Sequence, residues 1–153
     1  MAYFVTGATG FIGRFLVANL LKRGKPVYVL VRKSSQKKLA EMRNDYWGAT
    51  DEQVIGIVGD LGKANLGIAA DDLKKLKGKI AHFFHLAAIY DLSASAEAQQ
   101  AANVDGTRHA VEFAEAIGVG CFHHVSSIAA AGLYDGVFRE DMKRSCELRS
   151  EEA

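Results

Sequence analysis

The first forty residues of this 153-residue chain contain no aspartate and no glutamate. They carry eight bases: Arg14, Lys22, Arg23, Lys25, Arg32, Lys33, Lys37 and Lys38. The rest holds 11 bases against 18 acids, while the whole stands at +1. A basic first third suits a multiply phosphorylated small ligand, although Lys22, Arg23 and Lys25 read as solvated helix surface. Nucleic acid is not expected, because no stacking aromatics are interleaved with these bases and the chain is near neutral. Cysteine is scarce. Cys121 and Cys146 make no disulfide framework, so a cytoplasmic, reducing compartment is expected. No apolar run approaches membrane-spanning length. The first residues lack the basic head, apolar stretch and cleavage site of a secretory leader. Hydrophobic residues make up 49% of the chain, enough for one domain with its own core.

What is present alternates strand and helix. Expected strands are Tyr3 to Thr6, Val27 to Arg32, Val54 to Val58, Ile80 to Leu86 and Cys121 to Ser126. Between them fall helices over Phe11 to Arg23, Gln36 to Tyr46, Asp71 to Leu76 and Ala94 to Ile117. The first helix is expected to show Ile12, Phe15, Leu16 and Leu20 on one face. The long helix is expected to show Val104, Thr107, Val111 and Ala114, with Gly118 as its stop. Nearly continuous apolar strands separated by helices mean an α/β doubly wound parallel sheet with right-handed crossovers. The expected strand order is 3-2-1-4-5, with a ligand crevice at the carboxyl ends.

The chain begins with the strongest signal. Gly7, Gly10 and Gly13 are spaced by three between a short strand and a helix. Such glycines allow a sharp turn and close backbone approach, and the helix aims free N–H groups at the same spot, making a seat for a pyrophosphate. Thr6, Thr9, Phe11 and Ile12 complete the turn. The second strand ends in Arg32, Lys33 and Ser34, where an unphosphorylated ribose would require an acid. The first acid is Glu41, so these residues suit a 2′-phosphate and favour NADP over NAD. Asp60 can accept from an adenine amino group with Leu61 against the ring; as a turn residue it needs no ligand. Leu86, Ala87 and Ala88 allow close approach of a flat ring or ribose, and Tyr90 can line the same wall. His85, inside an apolar strand, reads as a core histidine.

Ser126 and Ser127 end the fifth strand, where a hydroxyl can bond a reacting carbonyl or simply cap a turn. Asn103 is a poor helix former inside a helix and can hold backbone or water; Gly106 can let that helix pack closely. No metal is expected. Alternation sends Cys121 and His123 one way and His124 the other, and no second ligand pair stands at zinc spacing.

Together these residues resemble the extended short-chain dehydrogenase/reductases. The carriers are Thr6-Gly7-Ala8-Thr9-Gly10-Phe11-Ile12-Gly13, Asp60-Leu61, His85-Leu86-Ala87-Ala88, Asn103-Val104-Asp105-Gly106-Thr107 and Val125-Ser126-Ser127. Val29-Leu30-Val31-Arg32, the Ser127 region and Gly136-Val137-Phe138-Arg139-Glu140-Asp141 are most similar to NADP-dependent thioester or fatty acyl reductases. The resemblance implies a Rossmann fold, hydride transfer to or from a carbonyl or thioester substrate, and catalytic roles for Ser127 at the substrate oxygen and Asn103 in a water relay. It also implies possible pairing as a homodimer through the long helix.

The family's proton donor is a Tyr-x-x-x-Lys pair. Tyr3, Tyr28, Tyr46, Tyr90 and Tyr134 are followed four residues later by Gly7, Arg32, Thr50, Ala94 and Phe138, so no such pair stands in this sequence. Residues 1–142 are expected to form the dinucleotide-binding domain and 143–153 an atypical tail, as in a truncated chain. A dinucleotide-binding module without chemistry is the alternative. A nucleotide-sugar epimerase or dehydratase is another, with Arg32 and Lys33 against it.

Overall fold

The computed structural model describes residues 1–89, 95–127, 136–137 and 139. Five strands form one parallel sheet in the order β3-β2-β1-β4-β5, as expected. They are β1 (Ala2–Thr6), β2 (Val27–Val31), β3 (Val54–Val58), β4 (Ile80–His85) and β5 (Cys121–His124). Helices α1 (Phe11–Leu21), α2 (Gln36–Glu41), α3 (Ala70–Leu76), α4 (Ala96–Gln99) and α5 (Gly106–Ile117) connect them. The fourth and fifth strands each stop earlier than the apolar pattern extends, at His85 and His124, where the chain leaves the ladder.

All five residues of β1 are buried, as befits a central parallel strand covered on both faces. Alternation then divides the apolar side chains between two cores. Phe4, Phe83 and Phe113 anchor the α5 side, with Phe4 and Phe83 edge-to-face at 4.9 Å. Tyr3, Val5, Val17, Val27 and Val29 form the α1 side. Each fully buried large side chain contributes about 1.5–3 kcal/mol by leaving water.

Both expected helix faces are corrected in part: Leu20 and Ala114 are buried as expected, and Leu16 packs against the core, but the other members are not buried. In α1 the buried residues are Gly13, Val17 and Leu20, while Ile12 and Phe15 are exposed. The reason is Gly13: it must press on the strand-to-helix turn, and positions four and seven residues later then share its face. The displaced aromatics are not idle. The Arg14 guanidinium lies over Phe11, Phe15 and Tyr46 at 5.1, 4.8 and 5.7 Å from their ring centres. In α5 the buried stripe is Gly106, Ala110, Phe113, Ala114 and Ile117, leaving Val104 and Val111 exposed. Phe113 is the bulkiest apolar residue of the helix and sets the face.

The single long helix expected over Ala94 to Ile117 is interrupted. Between α4 and α5, residues Gln100–Asp105 wind as a π-helical segment. A similar segment, Met42–Tyr46, prolongs α2, and the Trp47 indole N–H donates to the Arg14 carbonyl at 2.9 Å, fastening it to α1. Gly118 ends α5 with φ 68°, a left-handed stop that glycine takes without steric cost.

Candidate functional site

The carboxyl ends of β1, β2, β3 and β4 open onto one groove. A cavity of about 230 Å³ is lined by Thr6, Gly7, Ala8, Thr9, Leu30, Val31, Arg32, Ser35, Gly59, Asp60, Leu61 and Ala87. It shares Arg32, Asp60, Leu61 and Ala87 with a neighbouring cavity of about 200 Å³ that also meets Ala88, Ile89 and Ala102. A third, of about 400 Å³, is bounded by Arg32, Lys33, Ser34, Asp60 and Lys63.

The glycines shape the turn for different reasons. Gly7 has φ 71°, and a Cβ there would stand 2.8 Å from the Ala87 nitrogen. A Cβ on Gly13 would stand 2.2 Å from the Gly7 carbonyl oxygen, inside any allowed contact. Gly10 is exposed and starts α1, its carbonyl accepting from Arg14 N–H at 3.1 Å. The N–H groups of Phe11, Ile12 and Gly13 precede that first bond and are left for an anion. The first turn of α1 contains no acid and receives no side-chain cap. The Phe11 and Ile12 side chains themselves face solvent.

One buried histidine ties the groove together. Thr107 donates its hydroxyl proton to the Asn103 carbonyl at 2.6 Å, so it must accept from His85 Nε2–H at 3.2 Å. His85 Nδ1 is therefore unprotonated and accepts from the Thr6 hydroxyl at 2.8 Å. Thr6 Oγ1 in turn accepts from the Leu86 and Ala87 N–H groups at 3.2 and 3.3 Å. Every atom in this chain has its partner only while the imidazole is neutral. Burial, with a lesser contribution from His124, lowers the His85 pKa to about 4. His85 is thus the core histidine expected. Its network sets the Leu86-Ala87 segment against the glycine turn.

Asn103 lies in the π-helical segment and grips one residue twice. Its Oδ1 accepts from Ile89 N–H at 2.8 Å, and its Nδ2–H donates to the Ile89 carbonyl at 3.0 Å. Of the two uses expected for Asn103, its side chain here holds backbone.

Asp60 is held as a turn residue: its Oδ1 accepts from Gly62 N–H at 3.0 Å, and its own N–H donates to the Leu66 carbonyl at 2.6 Å. Asn65 and Leu66 adopt φ 51° and 55°, a left-handed strain of the kind that collects at functional sites. The buried Leu66 side chain compensates for it. His109 Nδ1–H donates to the Leu61 carbonyl at 2.8 Å, and Gly106 lets α5 approach Leu61, whose Cβ would lie 3.4 Å from an added Cβ.

Most of the expected site residues therefore converge. Leu86 is an exception: it packs into the α1-side core and offers only its backbone. Ser126 and Ser127 are exposed beyond the last β4–β5 rung and do not line these three cavities. Tyr90 lies outside the described residues. Three contributions went unseen in the sequence, where Thr107 reads only as a helix-face residue and as the end of the Asn103-to-Thr107 stretch. Lys63 joins Arg32 and Lys33 through the turn after Asp60. Thr107 and His109 act one helical turn or more beyond Asn103; their spacing from it was the available signal. Among the described residues Arg32, Lys33 and Lys63 form no ion pair, and these three cations share the lining of the third cavity with the Asp60 carboxylate. The donor set fits a phosphate.

Comparison with known proteins agrees with this geometry. The family model NAD_binding_4, described as male sterility protein, matches residues 5–152. A putative fatty acyl-CoA reductase of Drosophila melanogaster is 34% identical over 81% of this chain and 27% of its own length. A putative dihydroflavonol 4-reductase of Synechocystis is 36% identical over 86% of this chain and 34% of its own. Among solved structures, the terminal R domain from the myxalamid PKS-NRPS biosynthetic pathway superposes with a TM-score of 0.74 at 28% identity. That match covers 89% of this chain and 37% of that one. The chain thus spans between 27% and 37% of these three proteins. No helix of the described residues is long and apolar enough to cross a membrane.

Proposed function

Since the chain belongs to the male sterility protein family of extended short-chain dehydrogenase/reductases, we propose that it is the NADP-binding part of a reductase acting on a carbonyl or thioester carbon. The observation that carries this reading is the third cavity, where Arg32, Lys33 and Lys63 outnumber the one carboxylate of the lining, Asp60, and the end of β2 offers no acid to a ribose. Cations and a serine hydroxyl there suit a 2′-phosphate.

In this reading the N–H groups at the start of α1 hold the pyrophosphate, and Thr6, Gly7 and Thr9 shape its seat. Asp60 and Leu61 meet the adenine. Ala87 and Ala88 admit the ribose and flat ring, and the Asn103 clamp on Ile89 steadies that wall. The bound cofactor supplies a hydride from C4 of its nicotinamide. Ser127 orients the substrate oxygen. The thioester class is favoured by the likeness to a fatty acyl-CoA reductase. The same reading places the chain in the cytoplasm, with Cys121 a free thiol.

Competition between 2′,5′-ADP and 5′-ADP isolates the 2′-phosphate from the rest of the cofactor. The chain is expected to prefer 2′,5′-ADP. Arg32→Asp should remove about tenfold or more of that preference, since a hydrogen bond to a charged group contributes about 1.5–3 kcal/mol. An unchanged ratio would show that Arg32 does not meet the phosphate. Pairing of two chains through the long helix is part of the proposal, resting on the exposed Val104 and Val111. Sedimentation equilibrium should then show a dimer that Val111→Glu weakens; a monomer at every concentration would remove it.

A further inference from the structure

We propose that His82, Cys121 and His123 form a metal site of the zinc class on the α1-side face of the sheet, separate from the cofactor groove. The expectation of no metal rested on the alternation along β5, where Cys121 and His123 share a face, and on the lack of a second ligand pair at zinc spacing in the sequence. The third ligand comes from the neighbouring strand. In the β4–β5 ladder His82 is paired with Cys121 and Phe84 with His123, so all three side chains project to the side that carries Tyr3 and Phe84. His124 projects to the other, against His85.

One ligand atom from each residue lies within 4.8 Å of the other two. His82 Nδ1 and His123 Nε2 stand 3.0 Å apart. Tetrahedral zinc with Zn–N near 2.0–2.1 Å and Zn–S near 2.3 Å needs N···N of about 3.3 Å and N···S of about 3.6 Å. The two nitrogens are therefore within a few tenths of an ångström of their separation around zinc.

The rings are already oriented. His123 stacks on Phe84 with centres 4.5 Å apart and planes 9° apart, and His82 lies between Tyr3 and Phe84 at 6.0 and 6.2 Å. The plainer account is a hydrogen bond between two histidines. It explains the nitrogens but not the thiol that completes the triangle. Cys121 is exposed, so an ion reaches the site from solvent, and binding releases the thiol proton. Two imidazoles and a thiolate select zinc or another first-row N/S-binding divalent ion, with one position open to water or an added ligand. Held this way, the ion clasps edge strand β5 to β4.

The test adds Zn²⁺, then Co²⁺ as a spectroscopic stand-in, to the purified 153-residue chain under reducing conditions. One Zn²⁺ per chain in competition with a chelator, and a thiolate-to-cobalt charge-transfer band, are expected. Cys121→Ser should abolish the band. His82→Gln and His123→Gln should each weaken binding by at least the ~10- to 100-fold that loss of even a supporting group costs. Cys146→Ser and His124→Gln should leave both readouts intact. Circular dichroism checks each fold, and Cys121→Ser, altering an exposed atom, guards against a result that merely reflects unfolding. Absence of stoichiometric binding, or a band kept by Cys121→Ser and lost in Cys146→Ser, would overturn the proposal. Neither readout depends on cofactor preference.

Discussion

His85 folds as a neutral imidazole with its proton on Nε2, because Thr6 and Thr107 leave it one acceptor and one donor to satisfy. Its pKa falls from the ordinary 6.5 to about 4 on folding, through burial first and His124 second. Between those values the unfolded chain binds the proton and the folded chain does not. Stability from this group is therefore complete above about pH 6.5 and is lost as the pH drops towards about 4. The ceiling is about 3 kcal/mol for a shift of this size. Urea unfolding at pH 7 and pH 5 should show the loss, and His85→Gln, which cannot titrate, should flatten the difference. An equal pH dependence in both proteins would assign the effect elsewhere. This network was half legible. An apolar strand marked His85 as core, but which hydroxyls meet its nitrogens depends on how β1, β4 and α5 sit together.

At the scale of elements, the glycine turn and α1 act as one unit. Gly13 was legible as part of a motif. Its consequence, that the buried face of α1 runs through Gly13, Val17 and Leu20, was not, because Ile12 and Phe15 are more apolar and mislead a periodicity argument. Arg14 explains the exposed aromatics only once the Met42–Tyr46 segment is brought beside α1. A methyl group on Gly13 meets backbone that cannot move without opening the turn. Gly13→Ala should cost about 2 kcal/mol or more and abolish nucleotide binding. Gly62→Ala, where a Cβ meets only the Asp60 carboxylate at 3.5 Å, should change stability by no more than about 0.5 kcal/mol. Equal losses in thermal melts would show that the close contact at Gly13 is not what fixes the turn. The π-helical segment was similarly veiled. Asn103, Val104, Asp105 and Gly106 are poor helix formers in a row, yet only the Ile89 backbone, fixed at both ends by Asn103, explains why the helix widens there.

For the molecule as a whole, strand order was readable because apolar strands alternated with helices and chain-crossing rules leave few topologies. The convergence of strand ends followed from that order, so Thr6, Gly7, Arg32, Asp60 and Ala87 could be grouped before their distances were known. Lys63 and His82 could not. The first reaches its cavity through the turn closed by Lys63 N–H on the Asp60 carbonyl, and the second meets His123, 41 residues away, through the register of two strands. Sequence pattern carries the period of one strand but not its alignment with the next. We propose this chain as the NADP-binding part of a reductase, and no Tyr-x-x-x-Lys pair stands within its 153 residues. Fluorescence titration of the purified 153-residue chain with NADPH and NADH tests it most directly. NADPH should bind about tenfold or more tightly, with no hydride transfer to aldehyde or thioester substrates in the same cuvette. Equal affinity, no binding of either, or steady turnover would contradict it.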